Sequence, residues 1–383
     1  MINVHYRKIK VLLLSLSVCV LSFSHTANAD FIFGEPSKVP NINTSSYDGC
    51  GSISSDGLEL YIDSCHPYGA DGCYSNIYLA TRPSIYDDWG MPTKLEPPVN
   101  TDGPEDSPCI SADGLELYFD DGWNPSLVSG CAHRPNGYGG TDIWVSRRLT
   151  KDDPWGEPQN LGLEINLSAE GRGELSPMIA PDGLSLYFHS YRDGGYGLHD
   201  LYVAKRSTKD DVWGPPENLG PFFNTNVSEG YVFIAPDNLT LYFSRSRYSV
   251  VDYDIYVSRR ASVTDPWEAP VLFEPVNSSM SEYNLRFAQD GSILYFNRIA
   301  AHASVETLAT VDIWQLEVTP IVDLNSDGFV DAEDVYIMIN LWHKKSTICD
   351  IAPAPLGDGF VDIQDLLVLT EHLFEEVPRI SGR

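Results

Sequence analysis

Alternating apolar and polar positions recur along the chain directly after an Asp-Gly turn. The pattern reads D-G-L-E-L-Y-F at 113–119, and close copies stand at 56–62, 182–188, 237–243 and 290–296. The second position is glycine in four copies and Asn238 in the other, and both residue types accept a positive φ at low cost. The residues that follow alternate as a strand leaving a hairpin does. Five copies at spacings of 53 to 69 residues predict a repeat architecture of β-strands.

Each repeat contains three further strand patterns around this turn. An apolar segment precedes the turn, and a D-I-Y/W element or a close variant follows it at 76–78, 142–144, 200–202, 254–256 and 312–314. A W-G-x-P element or a close variant then ends the first four repeats, beginning at Trp89, Trp155, Trp213 and Trp267. Four short strands per unit predict an all-β, five-bladed β-propeller.

The fifth repeat lacks its W-G-x-P strand, and a matching segment stands near the start of the chain. Phe33–Pro36 differs from Trp155–Pro158 only in its aromatic residue. We therefore expect this N-terminal strand to complete the last blade, which closes the ring and removes the open sheet edges.

The D-G-x-x-L-Y-F and D-I-Y/W elements resemble those of the PD40 (WD40-like, TolB-type) propeller repeat family. The resemblance covers residues 33–318, and the predicted propeller spans 30–318. It implies a fold and no particular activity, since members of this family serve mostly as binding platforms.

The first 29 residues have the composition of a secretory signal peptide. Basic residues stand at 7, 8 and 10, an apolar run follows at 11–23, and Ala27–Ala29 offers a cleavage site. The mature chain would be secreted with no membrane span, and it would keep 22 basic and 54 acidic residues. This balance disfavours nucleic acid and anionic membranes as partners and favours cations and neutral polymers.

Six cysteines remain after the signal peptide, five of them in the first two repeats. An oxidising compartment favours disulfides, and we expect Cys65 to pair with Cys73 across one loop. The spacings leave the full connectivity open.

A calcium-loop pattern follows a short linker at 319–322. Gly328 provides the sharp turn at its sixth position. Oxygen ligands are expected from Asp323, Asn325, Asp327, the carbonyl of Phe329, Asp331 and Asp334. A second copy is less regular, with candidate ligands Asp358, Phe360, Asp362 and Asp365, and Asp350 as a first ligand from an enlarged loop. An amphipathic helix is expected after each loop.

Two calcium loops, each followed by one helix and each with Asp at position 12, resemble a type I dockerin at 323–376, before a tail at 377–383. The resemblance implies a cohesin-type partner that contacts Ala332, Glu333, Ile363 and Gln364. Alternatively, calcium serves only to fold this small domain, and both roles are compatible.

Carboxylates stand eight residues before each repeat's Asp: Asp48, Glu105, Glu174, Glu229 and Glu282. They open the first strand of each blade and would surround one mouth of the central channel. They could form a cation site or, in a glycoside hydrolase, an acid pair. A feature repeated in every blade favours a structural role, in which each carboxylate ties neighbouring blades through backbone N–H groups.

The loops between the second and third strands differ from blade to blade and should share the carboxylates' face. They carry the candidate ligand-binding aromatics Tyr68, Tyr74, Trp123, Tyr138, Tyr191 and Tyr196. Aromatic rings beside charged groups suit a polysaccharide or peptide ligand. The leading hypothesis is therefore a secreted, non-catalytic recognition module with a calcium-binding dockerin. The alternative hypothesis is a glycoside hydrolase.

Overall fold

The computed structural model describes residues 31–65, 75–122, 134–138, 140–167, 173–247, 252–288, 291–299, 311–325, 327–344, 349–352 and 360–377. The predicted signal peptide and the C-terminal tail from residue 378 lie outside these ranges. No helix within them is long and apolar enough to cross a membrane.

Five antiparallel sheets of short strands make up most of the described chain. In chain order the strands are β1 Phe31–Phe33, β2 Ser37–Lys38, β3 Asp48–Ile53, β4 Glu59–Ser64, β5 Asn76–Thr81, β6 Thr93–Lys94, β7 Asp106–Ile110, β8 Glu116–Asp120, β9 Ile143–Arg147, β10 Gln159–Asn160, β11 Glu174–Ile179, β12 Ser185–Ser190, β13 Asp200–Lys205, β14 Glu217–Asn218, β15 Glu229–Ile234, β16 Thr240–Ser246, β17 Tyr253–Arg259, β18 Val271–Leu272, β19 Ser281–Phe287, β20 Ile293–Ile299 and β21 Asp312–Pro320.

Each of the first four blades is a simple meander. Their strand orders are β3-β4-β5-β6, β7-β8-β9-β10, β11-β12-β13-β14 and β15-β16-β17-β18. Inner strands of successive blades contact one another around the ring, with β19 meeting β3. The prediction of an all-β, five-bladed propeller is confirmed.

The N-terminal strands complete the fifth blade, as predicted. β19, β20 and β21 form its first three strands, and β2 pairs with β21 through Ser37 opposite Gln315 and Lys38 opposite Trp314. β1 extends the pairing, with Phe33 opposite Val318. The ring is thus closed by joining the start of the described chain to the end of the repeat region.

The Asp-Gly turns adopt the left-handed backbone that their sequence predicts. The second turn residue has a φ of 71° at Gly57 and 59° at Asn238, and the other three copies are similar. Each turn lies at the end of the blade opposite to the carboxylates, because Asp48 is paired with Ser64 at the far end of the same hairpin.

A tryptophan from each W-G-x-P element joins its blade to the preceding one. Trp155 packs edge-on against Tyr61, and Trp213 against Tyr118, with ring centroids 6.3 and 6.5 Å apart. An arginine covers the other side, as Arg148 does at 4.4 Å from the Trp155 ring. Burial of these large rings accounts for the recurrence of the element in the sequence.

Asparagines in the links between blades form a second repeated connection. Asn100 accepts from the backbone N–H of Ile77 and donates to its carbonyl, both at 2.8 Å, and so binds the link to the third strand of the preceding blade. Equivalent pairs are Asn166 with Ile143, Asn224 with Leu201, Asn277 with Ile255 and Asn43 with Ile313.

Two short helices follow the propeller, α1 Ala332–Asn340 and α2 Ile363–Glu371. They belong to a separate hydrophobic core that includes Val330, Met338, Val361 and Leu369. The two halves exchange backbone bonds: Phe374 N–H donates to Val330, and His343 N–H donates to Val361. This reciprocal pairing gives the C-terminal region an internal pseudo-twofold repeat.

Candidate functional site

The repeated carboxylates that open the first strands are all fully buried: Asp48, Glu105, Glu174, Glu229 and Glu282. Each accepts hydrogen bonds from the link leading into its own blade. Glu105, for example, accepts from the backbone N–H and the hydroxyl of Thr101 at 3.1 and 2.6 Å. The other backbone donors are Thr44, Leu167, Thr225 and Ser278. These bonds hold the link on its own strand and do not tie one blade to the next.

Arginines face four of these five carboxylates. The ion pairs are Glu105–Arg134, Glu174–Arg192, Glu229–Arg245 and Glu282–Arg298, at 2.9 to 3.1 Å. Burial raises the pKa of Glu105, and hydrogen bonds from Thr101 and the charge of Arg134 lower it in part. A catalytic acid has to touch its substrate, so buried carboxylates with these partners have the contacts of structural groups.

The connection between neighbouring blades comes from the residue directly after each D-G-x-x-L-Y-F pattern. Asp120 accepts the backbone N–H of Ser176 in the next blade at 2.9 Å, and Asp63 accepts that of Ser107 at 3.3 Å. Neutral side chains make the same bond elsewhere in the ring. The Ser244 hydroxyl accepts from Asn284 N–H at 3.2 Å, and the Asn297 side chain accepts from Cys50 N–H at 2.9 Å.

The donor residues of these bonds lie at a β-bulge in the first strand of each blade. Ser107, Ser176 and Asn284 have positive φ values of 54°, 50° and 55°. Such conformations cost energy for residues other than glycine and persist only where the surroundings impose them. The connection from the preceding blade is one such constraint, and it directs the bulged backbone toward the channel.

Blades 1 and 2 therefore use buried carboxylates where blades 4 and 5 use neutral groups. Asp63 and Asp120 are 2% and 0% exposed, and within the described ranges neither forms an ion pair. Burial raises the pKa of both carboxyls, and the nearby charge of Asp106 raises it further. Because serine and asparagine satisfy the same N–H at lower desolvation cost, the inter-blade bond alone does not explain these acids.

Asp106 adds a third carboxylate to the same region. It lies directly opposite Asp120 in the strand pairing of blade 2, and its carboxylate receives a hydrogen bond from the Ser75 hydroxyl. The corresponding positions in the other blades are Gly49, Leu175, Gly230 and Tyr283. Like charges directly opposite each other on neighbouring strands are unfavourable, so the acids accumulate here against the preference of the fold.

His189 occupies the corresponding inter-blade position of blade 3. It is 7% exposed, and its Nδ1 has no hydrogen-bond partner among the described residues. The ring reaches over Gly230 of blade 4, where an added Cβ would lie 2.9 Å from Nδ1. Burial, together with the neighbouring His199, holds the pKa of His189 well below its usual value, so the ring is neutral.

Tyrosines from the remaining blades surround these polar groups. The Tyr231 ring lies 5.4 Å from His189 and 5.0 Å from Tyr283. The Tyr47 hydroxyl is hydrogen-bonded to Asp63. Burial is the main cause that raises the pKa of Tyr231, and the charges of Asp63 and Asp120 raise it further. All five blades thus contribute to one cluster at a single end of the channel.

Part of this cluster reaches solvent. Tyr47, Asp106, Ser107, Tyr231 and His199 are half-buried, although each lies next to fully buried neighbours. They lie at this end of the channel together with the buried Asp63, Asp120 and His189, and we call this group of residues the polar recess. The opposite end of the channel is mainly apolar, with a cavity of about 110 Å³ lined by Met178, Phe233, Phe287 and the buried Arg286, among others.

The structure describes three of the six aromatic residues that were predicted to bind a ligand. Tyr138, Tyr191 and Tyr196 are 37%, 42% and 51% exposed. Tyr191 connects to the polar recess through His199, whose ring lies 5.6 Å away and contacts His189 at 5.3 Å. Tyr68, Tyr74 and Trp123 lie outside the described residues, so their role stays a prediction.

The cysteines split into two groups. Cys50 and Cys109 are buried thiols in first strands, and burial raises the pKa of Cys50 to about 12. Cys65 is disulfide-bonded, and its partner lies outside the described residues. The pairing of Cys65 with Cys73 therefore stays a prediction.

The first candidate calcium loop is held by its own acidic side chains. The Asp323 carboxylate accepts from Asp327 and Gly328 N–H at 3.2 and 2.8 Å. Asp334 is fully buried and accepts from Leu324 and Asn325 N–H. The Asn325 and Asp327 side chains meet at 3.1 Å, and Asp331 caps α1. The predicted ligand set of this loop consists of carboxylate, amide and carbonyl oxygens, and an all-oxygen donor set suits calcium.

The second loop repeats this arrangement around Asp350. Asp365 accepts from Ile351 and Ala352 N–H at 2.6 and 2.8 Å, as Asp334 does from the two residues after Asp323. Asp362 caps α2 as Asp331 caps α1. Asp350 therefore holds the place of the first loop residue, four positions earlier than in the regular loop. Asp358 lies outside the described residues, and Phe360 is exposed.

No three acidic, histidine or cysteine side chains of the described ranges are placed to hold a metal ion together. The predicted partner-contacting residues Ala332, Glu333, Ile363 and Gln364 are exposed at the starts of the two helices.

Sequence reasoning missed Asp63, Asp106, Asp120 and His189 as one group. A usable signal was present in the residue after each D-G-x-x-L-Y-F pattern, which is polar in every copy and acidic only in the first two. The bulge that directs the next blade's backbone toward this residue has no comparable signature, because its donors include Cys50, Ser107 and Asn284.

Comparisons with known proteins give fold-level likenesses. No family model and no curated protein matches the chain. Among solved structures, TolB from Acinetobacter baumannii is 13% identical over 71% of this chain and 54% of its own, with a TM-score of 0.38. A putative TolB from Agrobacterium tumefaciens is 14% identical over 76% and 97%, with a TM-score of 0.43.

A family 117 glycoside hydrolase from Zobellia galactanivorans is 13% identical over 76% of this chain and 90% of its own, with a TM-score of 0.44. The chain spans about half the length of the first TolB structure and most of the other two. The chain is similar to these proteins in its propeller arrangement, and its blade count rests on its own strand pairing.

Proposed function

We propose that the protein is a secreted, non-catalytic recognition module. Its propeller would bind a polysaccharide or peptide ligand at the polar recess, and its C-terminal repeats would dock, with calcium, onto a cohesin-type partner. The observation that carries the proposal is the asymmetry of the recess. Asp63, Asp106 and Asp120 gather where the repeat elsewhere places neutral residues.

The position of the recess supports recognition. It lies on the face that carries the variable loops, and Tyr191 and Tyr196 are exposed on one of them. Variable loops on a rigid scaffold are where binding functions concentrate. The aromatic rings from Tyr191 through His199 to Tyr231 would give a ligand a continuous surface from the rim to the floor.

Exposed apolar side chains support docking by the C-terminal repeats. Tyr336 and Ile339 on α1 are 68% and 56% exposed, and Ile363 and Leu367 on α2 are 55% and 58% exposed. Residues three or four apart share a helix face, so each helix presents an apolar strip. Calcium held by the loop residues would neutralise their carboxylates and fix the helix starts.

Two binding measurements test the two halves of the proposal. The full-length protein should be retained on at least one polysaccharide or peptide of a panel, without release of products. It should also bind an isolated cohesin module in calcium and lose that binding in chelator. Substituting Ile363→Asp and Leu367→Asp together should abolish cohesin binding and spare ligand retention. No retention on any panel member would contradict the recognition role.

The second candidate function is a glycoside hydrolase. Asp106 favours it, since this partly exposed carboxylate lies opposite Asp120, whose pKa is raised by burial and by Asp106 itself. A pair of carboxyl groups is what most glycoside hydrolases use for catalysis. Reducing ends that are released from a polysaccharide, and that disappear in the Asp106→Asn variant, would favour the hydrolase over the recognition module.

A further inference from the structure

The buried acids of the polar recess imply a counter-charge from outside the propeller. Asp63 and Asp120 receive only N–H and hydroxyl hydrogen bonds from described residues, and no arginine or lysine of the described ranges pairs with either. Four of the five carboxylates that open the first strands, by contrast, form an ion pair with an arginine. Buried carboxylates are costly to keep when unpaired.

Arg286 is a buried cation whose charge interacts with that of Asp63, but its N–H groups donate to backbone carbonyls. It donates to the carbonyls of Gly51 and Leu285, both at 2.7 Å, and to that of Val232 at 3.3 Å. Burial lowers the pKa of Arg286, and the Asp63 charge acts in the opposite direction, so the two groups influence each other. One guanidinium that binds backbone carbonyls does not balance the carboxylates of Asp63 and Asp120.

His189 supplies an independent sign of a missing ligand. Its Nδ1 is buried and has no partner among the described residues, whereas the residues at its position in the other four blades bond the next blade. Its ring contacts Tyr231, which lies in the field of both Asp63 and Asp120. A nitrogen-bound hydrogen of a ligand would satisfy a neutral Nδ1 acceptor.

We propose that the polar recess binds a protonated primary amine carried by an amino sugar. An ammonium group has three donors and one positive charge, which match an acidic cluster with a neutral histidine beside it. The exposed Tyr191 and Tyr196 at the rim suit stacking of further sugar rings. The formal net charge of −29 would attract a polycationic chain over longer distances.

This inference rests on the proposed recognition function and names its ligand class. A lysine side chain shares the ammonium chemistry but has no ring to stack on the rim tyrosines. We therefore favour a glucosamine polymer over a basic peptide. The repeat itself provides the test variant: Asn297 makes the inter-blade bond in blade 5 with a neutral amide, so Asn at Asp63 and Asp120 should preserve the fold.

The experiment measures binding of full-length protein to three probes at a pH where amines are protonated. The probes are a glucosamine oligomer, its fully N-acetylated counterpart of equal length, and a lysine oligopeptide. We expect the glucosamine oligomer to bind at least about tenfold more tightly than either of the others. The Asp63→Asn and Asp120→Asn double variant should lose this preference while its Tm does not fall.

Asp182→Asn is the matched control, because it removes one acid from the turn on the opposite face, where Asp182 accepts from Leu184 N–H. It should bind like the parent protein. Equal affinity for the amine and N-acetyl probes, or an unchanged double variant, would overturn the ammonium site and leave the recognition function standing. Tighter binding of the lysine peptide would overturn the choice of sugar. Failure of all three probes to bind would overturn the inference, and the polysaccharide and peptide panel would then decide the recognition function separately.

Discussion

At the scale of single residues, the molecule separates two kinds of buried carboxylate. Glu105 and its four equivalents recur in every blade and are bonded within that blade. Asp63, Asp106 and Asp120 occur in only two blades, and Asp63 and Asp120 replace neutral residues that make the same bond. The carboxylates that recur in every blade are therefore part of the fold. Asp63, Asp106 and Asp120 do not recur, which makes them candidates for a function.

Neutralising Asp120 should stabilise the propeller. Asp120→Asn removes a carboxylate that faces Asp106 and keeps an acceptor for Ser176 N–H. Like charges directly opposite on neighbouring strands cost roughly 0.2–1 kcal/mol, so Tm should rise by about 1–3 °C at neutral pH. The reverse substitution, Asn297→Asp, should lower Tm because it creates a buried charge. A lower Tm for Asp120→Asn would show that the acid is needed for folding.

Asp121 predicts a specific pH dependence. Burial raises its pKa from 3.8 to about 7, and its Oδ1 accepts from Asp142 N–H at 2.7 Å. A raised pKa means that the folded state binds the extra proton, so this group's contribution is full below about pH 4 and is lost as pH rises toward 7. The stability of Asp121→Asn relative to the parent should therefore increase between about pH 4 and 7. Denaturant unfolding at several pH values measures this difference, and a flat difference would contradict the raised pKa.

At the scale of elements, the sequence pattern was sufficient for the blades and insufficient for the recess. The strand alternation, the positive-φ position at Asn238 and the closing strand at Phe33–Pro36 are local patterns, and local patterns encode hairpins well. The recess depends on how five first strands meet, with bulges at Ser107, Ser176 and Asn284. No single stretch of sequence carries that information, because each contact joins residues more than 35 positions apart.

Closure of the ring by the N-terminal strands gives a second prediction at this scale. Deleting residues 30–40 removes β1 and β2, the two N-terminal strands that pair with β21, and the Lys38–Asp312 ion pair. The exposed edge should cause aggregation or a much lower Tm. A matched control is deletion of residues 378–383 at the other end of the chain, which should leave Tm unchanged. A soluble truncation of 30–40 with the parental Tm would mean that the ring closes without these strands.

The C-terminal repeats should respond to calcium. Residues 319–383 contain their own core, and we expect this fragment to gain helical circular dichroism on adding calcium, with a Kd of about 10⁻⁴–10⁻³ M, as in extracellular modules. Asp327→Ala should remove most of the gain, because Asp327 is a candidate ligand whose carboxylate also accepts Phe329 N–H. Glu371→Ala, at the exposed end of α2, is the control. Equal helicity in chelator would contradict a structural role for calcium.

At the scale of the whole molecule, the two faces of the disc have different tasks. The turn face repeats nearly unchanged and carries ion pairs between blades, such as Lys151 with Asp56 and Lys209 with Asp113 at 2.6 and 2.7 Å. The loop face varies from blade to blade and holds the polar recess. Tyr196→Ala should therefore weaken ligand binding and leave Tm within a few degrees. Asn238→Ala should lower Tm by imposing a strained φ and spare binding.

We propose that the acids of the polar recess bind a ligand at the expense of stability. The most direct measurement is Tm of the parent protein and of the Asp63→Asn and Asp120→Asn double variant, each with and without the glucosamine oligomer. We expect the variant to melt higher than the parent when both are free, and only the parent to gain Tm from the oligomer. A variant that melts lower, or that gains as much from the oligomer as the parent does, would contradict the account.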